Sequence, residues 1–489
     1  MPDRAPDRWQ TLDRDLNRMA RLEAAGMHVA RPLVGVGLSL VFVTLAALVA
    51  GVLAGGASHS LIVIVAAAFG AYMALNIGAN DVANNMGPAV GARALSMLGA
   101  ITIAAVCESL GALLAGRDVV TTISAGLVDP AAFDDSRILV RVMLAALLSA
   151  AVWVNIATWI GAPVSTTHAV VGGVLGAGLA AAGLSSLSWP TIGAVAVGWV
   201  VSPVMGGLVA AGILAFIKWR VIDVDDKIAA ARTWVPVLIG VMAAAFAAYL
   251  SMKALAHVVP IGLGQALLIG AGTGVVLWRL SVPVIRRRSE GLENRNRSLK
   301  VLFRPPLVVS AALLSFAHGA NDVANAVGPL AAVVNAQATA KLGPEVPMPF
   351  WVMLIGALGI SMGLVLFGPR LIAMVGSQIT KLNPMRAYCV ALSAAVTVIA
   401  ASALGLPVSS THIAVGSVFG VGFFREWYTE RRARAGRATA RPLPVQERAR
   451  RKLVRRSHFL TVLAAWLITA PAAALISALS VRILQLLGI

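Results

Sequence analysis

The stretch Gly78-Ala79-Asn80-Asp81-Val82-Ala83-Asn84-Asn85-Met86-Gly87-Pro88 returns as Gly319-Ala320-Asn321-Asp322-Val323-Ala324-Asn325-Ala326-Val327-Gly328-Pro329. A second phrase is doubled too, as Pro163-Val164-Ser165-Thr166-Thr167-His168 and Pro407-Val408-Ser409-Ser410-Thr411-His412. Asp81 and His168 lie 87 residues apart, Asp322 and His412 90. Two unrelated phrases in one order at nearly one spacing mark an internal duplication.

Both copies are embedded in apolar sequence. Of 489 residues, 58% are hydrophobic and 12% charged, against roughly 25% charged in soluble domains. Most of the surface must therefore face lipid. About 12–13 apolar segments are long enough to cross, the first at 33–55 and the last at 458–487. The net charge of +19 is concentrated, with +9 between Arg425 and Arg456 and +6 between Arg279 and Arg304. Basic loops between spans mark the cytoplasmic side, and they need no nucleic-acid partner to explain them. If the N-terminus is inside and thirteen segments cross, both loops fall inside, while 117–136, with four Asp and one Arg, falls outside. Seven crossings then separate each phrase from its copy. Seven is odd, so the copies run in opposite directions. Inverted repeats with broken helices and a site near the midplane are the architecture of secondary transporters. Some segments are candidates for re-entrant hairpins and not full crossings.

The chemistry concentrates in the two phrases. Asp81 and Asp322 are intramembrane carboxylates, and a charge there costs about 2.5–3.5 kcal/mol unless it is compensated. Asn80, Asn84 and Asn85 beside the first, and Asn321 and Asn325 beside the second, supply oxygens suited to a coupling cation, Na⁺ or H⁺ on the carboxylates. The glycines and the Gly-Pro pairs predict breaks in these spans. The Pro-Val-Ser segments predict helix starts, where Ser165, Thr166, Thr167, Ser409, Ser410 and Thr411 join free backbone N–H groups as donors to an oxyanion. His168 and His412 close those phrases. Glu108, mid-span, aligns with Ile360, and His318 aligns with Ile77. These two unmatched ionisable residues are candidates for a proton or coupling role. The two cysteines, Cys107 and Cys389, show no metal-knuckle spacing, and no His-Glu-x-x-His signature points to a membrane protease.

These residues resemble the inorganic phosphate transporter (PiT) family, whose Gly-Ala-Asn-Asp-Val-Ala-Asn signature stands here twice. The likeness extends to Phe316-Ala317-His318, both Pro-Val-Ser-x-Thr-His segments and Asn383-Pro384-Met385-Arg386. The resemblance implies phosphate uptake coupled to H⁺ or Na⁺, on an all-α integral membrane fold of inverted repeats, broken helices and helical hairpins. By motif position Asp81, Asn84, Asp322 and Asn325 take the cation role and the Ser/Thr clusters the phosphate role; Glu108 matches a glutamate implicated in phosphate transport. Sulfate as the anion and a channel mechanism are the alternatives. Neither an enzyme nor a cofactor is expected beyond the coupling ion. The expected setting is a plasma (inner) membrane, with lipid as a partner and a homodimer as one admitted assembly. The organisation reads as a polar arm (1–32), an extra span (33–55), a first repeat (61–218) and connecting spans with a basic loop (219–304). A second repeat (305–424), a second basic loop (425–456) and a last span (457–489) follow. The arm carries the pattern of a short amphipathic helix, lying on the membrane surface or packed on the protein.

Overall fold

The structure is a computed structural model and describes residues 33–53, 60–129, 132–133, 135–162, 164–254, 259–339, 348–378, 382–435 and 456–486. The arm with its expected helix, Pro163, and residues 436–455 of the second basic loop lie outside them. Among the described residues regular structure is helical, apart from one isolated antiparallel bridge between Val128 and Leu187.

The first half contains α1 (Leu33–Leu53), α2 (Ser60–Gly91), α3 (Met97–Ala115), short α4 (Arg117–Thr121), α5 (Ser136–Trp159), α6 (Thr166–Ala182) and α7 (Trp189–Ile217). The connection is α8 (Lys227–Lys253), α9 (Leu263–Ser289) and short α10 (Asn296–Leu302). The second half contains α11 (Arg304–Thr339), α12 (Phe350–Gln378), α13 (Pro384–Ala403), α14 (Ser410–Ala435) and α15 (Arg456–Leu486). Among the described residues, eleven helices are long and apolar enough to cross a membrane. The other two apolar windows, 164–184 and 408–424, are α6 and the apolar part of α14.

α5 with α6, and α13 with α14, form antiparallel hairpins. At the open end of the first, Asp129 N–H donates to Ser186 O at 2.9 Å beside the Val128–Leu187 bridge. In the second, Ser393 Oγ donates to Ser417 Oγ at 2.8 Å between the arms. The chain turns back through Gly161 (φ 73°) in one and Gly405 (φ 67°) in the other, left-handed conformations that favour glycine. A hairpin returns the chain to the side it left, so the sidedness of both basic loops and the odd separation of the copies are unchanged. Each second arm starts under its own cap: Ser165 Oγ accepts from His168 N–H at 3.1 Å, and Ser409 Oγ from His412 N–H at 3.2 Å.

The two halves are interleaved. A Cβ placed on Gly78 would stand 1.9 Å from Ile360 O, and one on Gly363 2.0 Å from Leu75 O, so α2 and α12 touch backbone to backbone. The same crossing recurs between α11 and α3, where a Cβ on Gly319 would meet Glu108 O at 2.1 Å and one on Gly111 would meet Phe316 O at 2.0 Å. Small residues at a crossing let membrane helices approach closely. A second matched pair joins α6 to α15 through Gly172 on Ala470 and Gly176 on Ala474, and α14 to α7 through Gly416 on Pro203 and Gly420 on Gly207. α7 and α15 thus play equivalent parts, each covering the other half's capped helix.

The breaks expected inside the Gly-Ala-Asn-Asp spans are not there. α2 and α11 run unbroken through both motifs, with Pro88 and Pro329 inside them. The reason is physical: Gly78 and Gly319 serve close approach, and neighbouring helices hold the backbone in place. The interruptions fall at 160–165 and 404–409, between the hairpin arms. Each proline still leaves a mark, since it has no N–H to donate to the carbonyl four residues earlier. Those carbonyls belong to Asn84 and Asn325. At the opposite face of the connecting pair, Lys253 at the end of α8 pairs with Asp118 of α4 and donates to Ala403 O at 3.1 Å.

Candidate functional site

The motif aspartates meet the capped helix starts in one buried cluster. Asp81 and Asp322 are each 1% exposed, as deeply buried as the apolar core around them. Thr166 Oγ1 donates to Asp81 Oδ2 at 3.1 Å, and Thr411 Oγ1, from the other half, donates to Asp81 Oδ1 at 2.9 Å. Ser410 Oγ donates to Asp322 Oδ2 at 2.8 Å, the counterpart of the Thr166 contact. Asn84 Nδ2 donates to Thr411 Oγ1 at 2.9 Å, while Asn325 Nδ2 lies 3.3 Å from Thr166 Oγ1 and 3.1 Å from Thr167 Oγ1. Thr167 Oγ1 in turn donates to Val408 O at 3.1 Å. The residues expected to hold a cation and those expected to hold an anion are therefore one interlocked set. Ser165 and Ser409 stand slightly apart, as caps.

Acceptors are left over in this set. The side-chain oxygens Asn80 Oδ1, Asn321 Oδ1, Asn325 Oδ1 and Asp322 Oδ1 are buried without a hydrogen-bond donor among the described residues. A buried oxygen with no donor is costly unless something electropositive reaches it. Two residues that the sequence did not single out explain why the Asn80 and Asn321 oxygens are free. Asn80 Nδ2 donates to Thr158 Oγ1 and Asn321 Nδ2 to Ser402 Oγ, both at 2.9 Å, which fixes the donor end of each amide on a hairpin tip. Thr158 and Ser402 each stand seven residues before their cap serine, a matched spacing that was readable.

Glu108 and His318 come together, although nothing in sequence linked them. His318 Nδ1 lies 3.2 Å from Glu108 Oε1, and its Nε2 lies 2.9 Å from Asp322 Oδ2 and 3.8 Å from Asp81 Oδ2. Asn85 Nδ2 donates to Glu108 Oε1 at 2.9 Å, so Asn85 serves the glutamate and does not flank Asp81 as expected. The imidazole bridges both aspartates to Glu108 at full burial. Asp81, His318 and Asp322 keep their ligand-type atoms within 4.8 Å of one another, a set that could hold a small metal ion.

His168 and His412 are packed rings. His168 faces Trp199 with centroids 3.7 Å apart, His412 stacks on Trp466 at 3.7 Å, and the two imidazoles meet edge to face at 4.4 Å. Trp199 and Trp466 come from α7 and α15, the matched covering helices. The four rings form one stack that links α6, α14, α7 and α15.

The profile of the phosphate transporter family matches residues 77–477. A Helicobacter pylori (strain J99) protein provisionally named a phosphate permease is 48% identical over 86% of this chain and 79% of its own length. The chloroplastic inorganic phosphate transporter 2-1 of Arabidopsis thaliana is 38% identical over 73% of this chain and 65% of its own. A solved structure described as the sodium-dependent phosphate transporter superposes with a TM-score of 0.79 at 34% identity, covering 87% of this chain and 99% of that one. The chain belongs to the phosphate transporter family, as an all-helical, multi-pass membrane protein built from inverted repeats.

Proposed function

We propose that the protein is a Na⁺-coupled symporter that takes up inorganic phosphate by alternating access. The observation that carries this reading is the interlock of hydroxyls and carboxylates. Thr166, Ser410 and Thr411 are the donors an oxyanion would need, and they donate to Asp81 and Asp322. A cation on the two carboxylates replaces those donors and frees the hydroxyls, with the N-terminal amides of α6 and α14, for phosphate. Each ion then makes room for the other, which is the condition for coupling two substrates. A proton on the aspartates would release the hydroxyls equally. Na⁺ is favoured because the spare acceptors of Asn80, Asn321 and Asn325 suit a cation taking several oxygens, and because the structural neighbour is described as sodium-dependent.

In this reading 61–218 forms the first repeat. The second comprises 305–424 together with α15, whose packing on α6 matches that of α7 on α14. The basic loops face the cytoplasm, and the protein resides in the plasma (inner) membrane. The test is uptake of labelled phosphate into proteoliposomes under separately imposed Na⁺ and H⁺ gradients. Accumulation driven by Na⁺ is expected, and Asp81→Asn or Asp322→Asn reduces it to background while folded protein is retained. Accumulation driven by H⁺ alone overturns the coupling ion. Sulfate accumulating in place of phosphate overturns the substrate, and simple equilibration overturns symport.

A further inference from the structure

At the end of the molecule that carries α10, two adjoining cavities of about 680 Å³ and 240 Å³ open beside the start of α13. Lys300, Asn383 and Arg386 line both. Arg93 joins them in the larger, and Lys218 and Arg425 in the smaller. Every charged residue lining either cavity is basic. The site is not the interlocked cluster: along α2 the larger cavity begins at Val90, nine residues past Asp81, about 14 Å at the rise of an α-helix.

Three further features point to an anion. Arg386 Nη1 is buried with no hydrogen-bond partner among the described residues, and a buried guanidinium edge needs an acceptor. Asn383 caps α13, its Oδ1 accepting from Arg386 N–H at 3.0 Å, so the positive end of a 20-residue helix lies at the same cavities. Arg93 has φ 57° and is the one non-glycine residue with positive φ among those described. It ends α2 where glycine is usual, so a strained backbone is kept together with a guanidinium that lines the cavity.

We propose that these cavities are a second anion site that takes a phosphate group as its dianion. A planar guanidinium, two or more ammonium or guanidinium groups and a helix N-terminus form the donor set that a tetrahedral dianion fits. Free phosphate and the headgroup of an anionic lipid share this chemistry. The placement of the site at the cytoplasmic mouth rests on the orientation proposed above; its binding of a phosphate group does not.

Binding of labelled inorganic phosphate is measured on the full chain in nanodiscs of neutral lipid, without Na⁺. A Thr166→Val/Ser410→Ala/Thr411→Val background removes the hydroxyl donors of the central cluster from the measurement. Phosphate binding is expected to persist there, and Arg386→Gln, or the pair Arg93→Gln/Lys300→Gln, weakens it about tenfold. Arg93 and Lys300 are exposed, so that pair yields folded protein even if Arg386→Gln does not. Arg386→Lys keeps part of the affinity. If a lipid headgroup is the occupant, native mass spectrometry of protein from phosphatidylglycerol nanodiscs finds a retained lipid that the same substitutions release. Absence of both ligands, or binding unchanged by both sets of substitutions, overturns the proposal. Failure of the transport reading shows separately, as normal Na⁺-driven uptake by the two aspartate variants.

Discussion

The two helix crossings that frame the site share one backbone and differ in chemistry. Where α2 crosses α12, the residues beside the contact are Ile77 and Ile360, with Ala326 at the third position. Where α11 crosses α3, the equivalent three are His318, Glu108 and Asn85, joined by contacts of 3.2 and 2.9 Å. All six side chains are buried. The glycine contacts that hold the crossings are kept in both halves, whereas three positions are apolar in one half and polar in the other. A duplicated frame therefore carries an unduplicated device: a polar chain from Glu108 through His318 to both aspartates, balanced by a dry wedge on the other side.

The comparison can be broken first at the frame. Gly78→Val and Gly319→Val should each prevent folding, because a side chain there meets a neighbouring carbonyl at about 2 Å and overpacking of this kind costs about 3 kcal/mol or more. Equal loss of monodisperse protein in size-exclusion chromatography would support a shared frame; tolerance in one half only would contradict it. The chemistry is tested next by making the second crossing a copy of the first. Glu108→Ile alone or His318→Ile alone leaves a buried polar partner stranded, at a cost of about 3–5 kcal/mol. The triple variant Asn85→Ala/Glu108→Ile/His318→Ile recovers the stability lost to the stranded Glu108 but not that lost by the aspartates, which still lack the imidazole, while phosphate uptake falls at least tenfold. Retained uptake in the triple variant would show that the polar chain has no part in transport. The smallest effect sharpens the symmetry of the helix starts: Ser165→Ala and Ser409→Ala should each cost about 1 kcal/mol, alike within error in a thermal shift measurement.

Much of this was legible in the chain because the duplication writes the same local phrase twice. The inversion followed from counting apolar segments between copies, and the caps at Ser165 and Ser409 from a Pro-Val-Ser pattern that acts within four residues. Other features depend on partners that are remote in sequence. Thr411 reaches Asp81 across 330 residues, so the merging of the two expected ion sets could not be read locally. Glu108 and His318 each stood out as unmatched, yet only packing makes them neighbours. Gly78 and Gly319 misled for a related reason: glycine marks a helix break or a close approach, and the sequence around it is the same in either case. The pairing of α6 with α15 was hidden because apolar helices rich in small residues fit many partners by composition alone.

That last pairing bears on how the protein is made. Gly172 rests on Ala470, 298 residues further along, so at roughly 5–20 residues per second of synthesis the first hairpin waits on the order of 15–60 s for its cover. During that interval its glycine-lined face must be shielded by lipid or by the insertion machinery. A helix made 298 residues later is therefore the one that lets the earlier half finish assembling. A ribosome that stops before α15 releases a chain whose defect lies in its first half, where α6 is left uncovered.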